Sequence, residues 1–441
     1  MRYSESMTYL RTRFHKIFRL FGLVLAVLFF AFSVNLAQPH QVQAREYTVC
    51  DVDINQDGLV NISDFSLIAI NYFRTTPNLI TPRVDITGDG TVDVEEYSLL
   101  VRFFGQRCEP PLTFDTNHRI MTIGFNLADG GGNAADRYYQ FAMGGTAAVA
   151  EARVWAETKQ HFEKVTHNTF SFEIVKQLQI SQMQPYSDGF NFSVESYAKC
   201  VQGNAQFDGS WCESHKQLFD YKNWIESNNL CQIINENDID EVWMLSLPFV
   251  MQYENFMVGP TDGFDVNGPG VKVSECNKHV VFINGTYDRP TNLLHNMGHR
   301  IERTMQYITS NWSESDRNRA WGNFAATQMY AGSVPNQPYC GNGHYPANTA
   351  QAYQYDSSAT RTTNCGDWKN FPDFVGTQTQ ISCSDWGCSD PGWQEYWLSA
   401  LPHSEGQAVL ANKDGKLFYM PKNWWLVLLR PDFAIQLKPT M

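Results

Sequence analysis

The chain has 441 residues, and this length predicts two or three structural units. Hydrophobic residues make up 43% of it and charged residues 18%, which excludes a wholly disordered protein. The formal net charge is −13. Because phosphate binding needs clusters of Lys and Arg that this sequence lacks, nucleic acid is not an expected partner.

Residues 1–44 have the features of an export signal. Five basic residues between Arg2 and Arg19 precede an apolar stretch from Leu20 to Ala37, which is the order found in secretory signals. Small residues at the end of the segment predict cleavage after Ala44 and therefore a secreted protein. The alternative is an uncleaved signal anchor at the outer face of a membrane, since ~18 apolar residues nearly span a bilayer.

All ten cysteines follow this segment, and an even number of cysteines in an exported protein predicts disulfide bonds. Cys50 and Cys108 enclose a short stretch of chain, so we expect them to pair with each other. The remaining eight allow many pairings, and the sequence does not choose among them.

Between Cys50 and Cys108 a twelve-residue calcium-loop pattern occurs twice, 32 residues apart. Oxygen-bearing side chains stand at loop positions 1, 3, 5, 9 and 12 and a glycine stands at position 6, as calcium coordination in such loops requires. We therefore predict two calcium sites, the alternative being two polar surface turns. The predicted ligands are Asp53, Asn55, Asp57, Asn61 and Asp64 in the first loop and Asp85, Thr87, Asp89, Asp93 and Glu96 in the second.

An amphipathic helix is predicted after each loop, over Ser63–Phe73 and Val94–Phe104. No helix is predicted before either loop. Residues 46–50, which precede the first loop, favour a strand, and Pro77 and Pro82 precede the second.

Two loop-and-helix units whose ends carry the cysteines expected to pair, Cys50 and Cys108, resemble a type I dockerin over about residues 45–108. The resemblance implies an all-α calcium-binding module whose partner is a cohesin-type scaffold or a cell-surface protein. It also implies that the module carries an enzyme, most often one that degrades polysaccharide. At loop positions 10 and 11, where type I dockerins usually have small hydroxyl residues, this chain has Ile62-Ser63 and Val94-Glu95.

A short linker at residues 109–112 precedes residues 113–441, which are enough for one large core or two fused ones. The chain beyond Asn336 is rich in Gly, Pro, Cys and Trp and has little periodicity. Mixed helices and strands with a disulfide-bonded C-terminal third predict an α+β domain. Strands are predicted over 119–125, 170–180, 241–247 and 279–283, and helices over 147–160 and 291–308.

One predicted helix carries a metal-binding pattern. His295 and His299 are one turn apart and face the same way, and Glu302 follows on that face, so the three side chains could hold zinc. The pattern resembles the helix of zincin metallopeptidases, whose glutamate after the first histidine is the general base. This chain has Asn296 there. The alternatives are a zinc-dependent hydrolase with another base, a degenerate zincin-like domain that binds without cutting, and a purely structural set of polar contacts.

Other residues predict further alternatives. A zinc site of cysteines with His344 competes with disulfide bonding, which export favours. Glycoside hydrolysis needs two carboxyls roughly 5–10 Å apart, and the candidate acids are Asp188, Asp238, Asp240, Glu241 and Glu254. Tryptophans can stack on sugars or fill a core, and those considered are Trp393, Trp397, Trp424 and Trp425. A non-catalytic protein that binds carbohydrate or protein is a third alternative.

Overall fold

The computed structural model divides into two compact units, Met1–Thr113 and Phe114–Met441, and each has a hydrophobic core of its own. The predicted signal segment and linker lie outside the residues that the structure describes. Within the described ranges, no helix has the length and apolar composition needed to cross a membrane. The described residues are 47, 49–55, 59–75, 78–79, 81–106, 108, 115–183, 186–202, 209–327, 329, 337–415 and 417–438.

In the first unit, helices begin at Ile62 and Val94, which are position 10 of the two predicted loops, and they overlap the helices predicted over Ser63–Phe73 and Val94–Phe104. The strand preference of residues 46–50 is not realised, since a one-turn helix begins at Val49; strand preference over so short a stretch is weak against tertiary contacts. The α-helices span Val49–Val52, Ile62–Asn71 and Val94–Phe103, and a 3-10 turn spans Pro82–Val84.

The two halves of this unit are joined through equivalent backbone positions. Val60 in the first loop exchanges hydrogen bonds of 2.8 and 2.9 Å with residues 105–106, which follow the second helix. Val92 in the second loop exchanges bonds of 2.9 and 3.0 Å with residues 73–74, which follow the first. Both valine side chains are fully buried, so the repeat in the sequence is also a repeat in the structure.

The second unit is built on a six-stranded sheet with the spatial order β2-β1-β3-β6-β4-β5. In chain order the strands are β1 (Asn117–Phe125), β2 (Ser171–Ile180), β3 (Glu241–Ser246), β4 (Asn255–Gly259), β5 (Gly270–Lys272) and β6 (Val280–Thr286). Strands β2, β1, β3 and β6 are parallel, whereas β4 is antiparallel to β6. The first residue of β4 therefore lies near the carboxyl-terminal ends of the parallel strands.

The sheet confirms the prediction of a mixed helix-and-strand unit. Two-stranded antiparallel sheets in the described residues pair Ala128–Asp129 with Gly132–Asn133, Arg361–Thr363 with Thr379–Ile381, and His403–Ala411 with Leu417–Asn423. The α-helices are Ala134–Tyr138, Gln140–Met143, Ala147–Val165, Val194–Gln202, Gly209–His215, Tyr221–Ser227, Leu230–Asn237, Leu293–Thr309, Glu314–Arg317, Asn323–Ala325, Asp390–Ser399, Trp425–Leu428 and Pro431–Leu437. Shorter helical turns are Lys216–Leu218, Pro290–Asn292, Asn318–Gly322, Cys365–Asn370 and Cys383–Trp386.

All ten cysteines form disulfide bonds. The predicted pair Cys50–Cys108 is confirmed. A zinc site made of cysteines is excluded, because each sulfur is already bonded to another. Disulfides of this number are typical of proteins in oxidising compartments. The other four are Cys200–Cys212, Cys231–Cys276, Cys340–Cys365 and Cys383–Cys388.

A buried ion pair fixes the helix Leu293–Thr309, hereafter the site helix, to the sheet. Arg300 is 0% exposed and its Nη1 donates to Glu241 Oε2 in β3. The same carboxylate accepts from Trp243 Nε1 at 2.7 Å and lies 3.3 Å from His118 Nε2. Burial lowers the pKa of Arg300 to about 9, so the guanidinium keeps its charge at neutral pH and neutralises Glu241.

Candidate metal centre

Two imidazoles meet on the face of the site helix that is turned away from Arg300. His295 and His299 are both buried, and their Nε2 atoms lie 3.0 Å apart. His295 Nδ1 is 3.1 Å from both carboxylate oxygens of Asp390. His299 Nδ1 is 3.2 Å from Glu302 Oε2. Each ring therefore has a carboxylate on one nitrogen and the other ring on the second.

The carboxylates favour a hydrogen on the Nδ1 atom of each ring. An ionised carboxylate only accepts, so each Nδ1 carries a proton and each Nε2 of a neutral ring presents a lone pair. Two lone pairs facing each other at 3.0 Å repel unless a proton or a cation lies between them. Tetrahedral zinc with Zn–N bonds of about 2.0–2.1 Å brings ligand nitrogens to about 3.3–3.4 Å of each other, so the rings need almost no rearrangement to bind one. Carboxylates on the outer nitrogens are the usual support of metal-binding histidines.

A third imidazole completes the cluster. His344 lies with its ring centre 4.5 Å from that of His299 and 5.4 Å from that of His295. One ligand nitrogen from each ring can be chosen so that all three lie within 4.8 Å of one another. Three histidines around an open position form the ligand set of catalytic zinc sites.

The turn that carries His344 is held by hydrogen bonds to the site helix and its neighbours. Asn342 Oδ1 accepts from the N–H of His344 at 3.1 Å. Gly343 N–H donates to Glu302 Oε1 at 2.8 Å, and Gly343 O accepts from Gln394 Nε2 at 2.8 Å. Glu302 thus joins His299 to the turn that holds the third imidazole.

Gly298 lets the helix Asp390–Ser399 approach the site helix closely. A Cβ at this position would lie 3.0 Å from Gln394 Oε1 and 3.4 Å from Trp397 Cζ3. The close approach brings Asp390 to His295, and it explains why a glycine stands between the two histidines of the pattern.

The cluster opens into a cavity of about 940 Å³. Glu254 lies on the cavity side of the rings, with its Oε2 3.7 Å from His299 Nε2. Tyr353 lies at the opening with a left-handed φ of 63°, and its hydroxyl is 3.1 Å from His344 Nε2. A bulky residue in this conformation is strained, and such strain is concentrated at functional sites.

The pKa shifts of His344 and Asp390 suit a metal, whereas a proton competes with a metal for His299. Burial and the neighbouring charge of His299 lower the pKa of His344 to about 4, so this ring is neutral near pH 7. Burial would raise the pKa of Asp390, but the hydrogen bond and charge of His295 lower it below its ordinary value. Burial would lower the pKa of His299, but Glu302 and Glu254 outweigh it and raise this pKa. The negative field that attracts a proton to His299 also favours a metal cation.

Of the three zinc ligands predicted from sequence, the structure brings the inner nitrogens of His295 and His299 together, whereas Glu302 lies on the outer side of His299. Glu302 contacts the outer nitrogen of His299 instead of sharing the inner side with His295, and His344 stands where a third ligand is needed. Asn296 points into the fold: its Nδ2 donates to Asn284 O at 2.8 Å. The sequence pointed to His344 only as a partner of cysteines in a zinc site, and not as a ligand beside His295 and His299.

Of the acids considered for glycoside hydrolysis, Glu254 alone lines this cavity. Asp238 and Asp240 pair with Lys278 at 2.6 and 2.9 Å, and Glu241 holds Arg300. The tryptophans considered for sugar stacking are fully buried and belong to the core, namely Trp393, Trp397, Trp424 and Trp425.

The two predicted calcium loops have matching hydrogen bonds. The carboxylate at position 12, Asp64 or Glu96, is fully buried. Asp64 accepts from the N–H groups of loop positions 3 and 9 at 3.1 and 2.8 Å, and Glu96 accepts from theirs at 3.2 and 2.8 Å. Asp57 lies outside the described residues. The other described positions in these loops are Asp53, Asn55, Asn61, Asp85, Thr87, Asp89 and Asp93.

Comparison of the chain with protein-family models, with curated proteins and with solved structures finds no match.

Proposed function

We propose that the second unit is a zinc-dependent hydrolase that cleaves amide or ester bonds. The observation that carries this proposal is the pair of Nε2 atoms at 3.0 Å, each on a ring whose other nitrogen faces a carboxylate. A buried pair of this kind is electrostatically unfavourable unless a proton or a metal cation lies between the two nitrogens. His344 adds a third donor, and the adjoining cavity gives substrate access to the open side.

Each residue has a defined task in this proposal. His295, His299 and His344 hold the zinc, which as a Lewis acid polarises the bond to be cleaved. Asp390 and Glu302 orient two of the rings and increase their basicity. The same two carboxylates are therefore occupied, and this argues against glycoside hydrolysis, in which a pair of carboxyls must be available to the substrate.

Hydrolysis is tested with protein stripped by a chelator and then given zinc. A pool of internally quenched fluorescent peptides and the ester p-nitrophenyl acetate serve as substrates. We expect cleavage of one of the two substrate classes to disappear on stripping and to return with zinc. Equal cleavage before and after zinc removal, or none by a protein that holds zinc, would contradict the proposal.

We propose a second role for the first unit, namely calcium-dependent attachment of the hydrolase to a cohesin-type scaffold or a cell-surface protein. The repeated loops, the resemblance to a dockerin and the symmetric backbone pairing support it. Ile62 and Val94, at position 10 of the two loops, are 64% and 59% exposed. Because these two exposed apolar side chains occupy equivalent positions, a partner protein could bind either loop through the same apolar contact. Export through the signal at 1–44 would place both units outside the cell.

Calcium titration of the zinc-loaded chain checks the attachment module. The unchanged protein should bind two calcium ions, one per loop, and Glu96→Gln should bind one, because position 12 supplies the bidentate carboxylate. The control is Glu95→Gln, which removes the adjacent exposed acid and should leave both sites. Equal calcium binding by both variants would show that Glu96 is not a calcium ligand.

A further inference from the structure

We propose that Glu254 is the catalytic base of this centre and performs the task for which Asn296 on the site helix has no proton-accepting group. The inference rests on the hydrolase function proposed above, since it assigns the carboxylate that receives a proton from the attacking water.

Glu254 differs from the other two carboxylates at the cluster in the side from which it approaches. Asp390 and Glu302 contact the outer Nδ1 atoms of the two rings. Glu254 approaches the inner nitrogen, with its Oε2 3.7 Å from His299 Nε2. Its side chain is 46% exposed within the cavity, so a water and a substrate can reach it.

The direction of β4 determines this position. Glu254 immediately precedes β4, which runs antiparallel to β6. It therefore lies near the carboxyl-terminal end of β6, from which the chain continues towards the site helix. Asn284 N–H in β6 donates to Glu254 O at 2.7 Å. Asn267 Nδ2 donates to Glu254 Oε2 at 2.9 Å. Backbone and side chain are thus both fixed, which a catalytic group requires.

The side chain of Asn296 does not face the histidine cluster. Its Nδ2 donates to Asn284 O at 2.8 Å, and the backbone carbonyl oxygen of Asn296 accepts from Asn255 Nδ2 at 2.8 Å. These bonds link the site helix to β6 and β4. Asn296 therefore holds the site helix against β6 and β4, next to which Glu254 lies, while Glu254 supplies the missing carboxylate.

The step is balanced with water as the sole co-reactant. The water oxygen forms a bond to the carbonyl carbon while one water proton passes to a carboxylate oxygen of Glu254. The bond from that carbon to the nitrogen or oxygen of the leaving group then breaks, and Glu254 returns the proton to the leaving atom. Glu254 ends in its initial ionised state.

Acetohydroxamic acid tests this assignment without a known substrate, because it binds zinc as its anion and must give up one proton. Its binding to zinc-loaded protein is measured by calorimetry in two buffers of different ionisation enthalpy, which counts the protons released to the buffer. Glu254 should retain this proton in the unchanged protein, so Glu254→Gln should release about one more proton to the buffer. The control Glu275→Gln removes an exposed carboxylate outside the cavity and should behave as the unchanged protein.

We also expect Glu254→Gln to keep its zinc while cleavage of the responsive substrate falls about 10²–10⁴-fold. Equal proton release by Glu254→Gln and the unchanged protein would overturn the assignment. Loss of zinc from Glu254→Gln would also overturn it, because Glu254 would then be a ligand. If the unchanged protein holds neither zinc nor the hydroxamate, the proposed function itself fails, which is a different result.

Discussion

Arg300→Met should lower the free energy of unfolding of the second unit by about 3–5 kcal/mol, because it leaves the buried Glu241 carboxylate without its charged partner. Both side chains of the pair are 0% exposed. His118 and Trp243 remain beside the carboxylate, but neither replaces the permanent charge of a guanidinium. Denaturant unfolding followed by tryptophan fluorescence measures the difference.

Arg303→Met is the matched control, since Arg303 is one turn further along the same helix and its side chain is 45% exposed. Its pair with Asp265 is long, at 3.5 Å, and an exposed pair of this kind contributes less than about 1 kcal/mol. The double variant Arg300→Met with Glu241→Gln should recover part of the lost stability. If the two arginine variants unfold alike, the ion pair does not anchor the site helix.

His344→Ala should weaken zinc binding by more than about 100-fold, which exceeds the usual cost of removing a supporting residue outside the ligand set. The change removes one of three donor rings. The turn itself keeps the bonds of Asn342 and Gly343, so the fold should be retained. Competition with a chromophoric chelator gives the affinity, and circular dichroism checks the fold.

His161→Ala is the control for this variant, because His161 is a partly exposed histidine paired with Glu395 and does not line the cavity. It should leave zinc affinity unchanged. A His344→Ala variant that binds zinc as tightly as the unchanged protein would restrict the centre to the two helix histidines.

Part of this site could be predicted from the sequence because it depends on local geometry. Helical periodicity places His295 and His299 on one face, and the structure brings their inner nitrogens together. His344 belongs to an irregular segment, where no periodic pattern relates a side chain to the helix. Its position depends on the disulfide Cys340–Cys365 and on the hydrogen bonds of Gly343, which are tertiary contacts.

The same distinction applies to the sheet. Each of the four parallel strands overlaps a segment that the sequence predicted to be a strand. Strand β5 is three residues long and gives no such signal. Strand β4 was not predicted either, and its antiparallel direction is set by its pairing with β6. The sequence therefore indicated Glu254 as a candidate acid without showing where in the sheet it lies.

X-ray absorption spectroscopy of the zinc-loaded chain, combined with metal analysis after dialysis, tests the metal centre most directly. The proposal predicts one bound zinc per chain with three imidazole nitrogens at about 2.0–2.1 Å and an oxygen at the remaining position. A protein that retains no zinc, or a zinc surrounded by oxygen atoms alone, would contradict it.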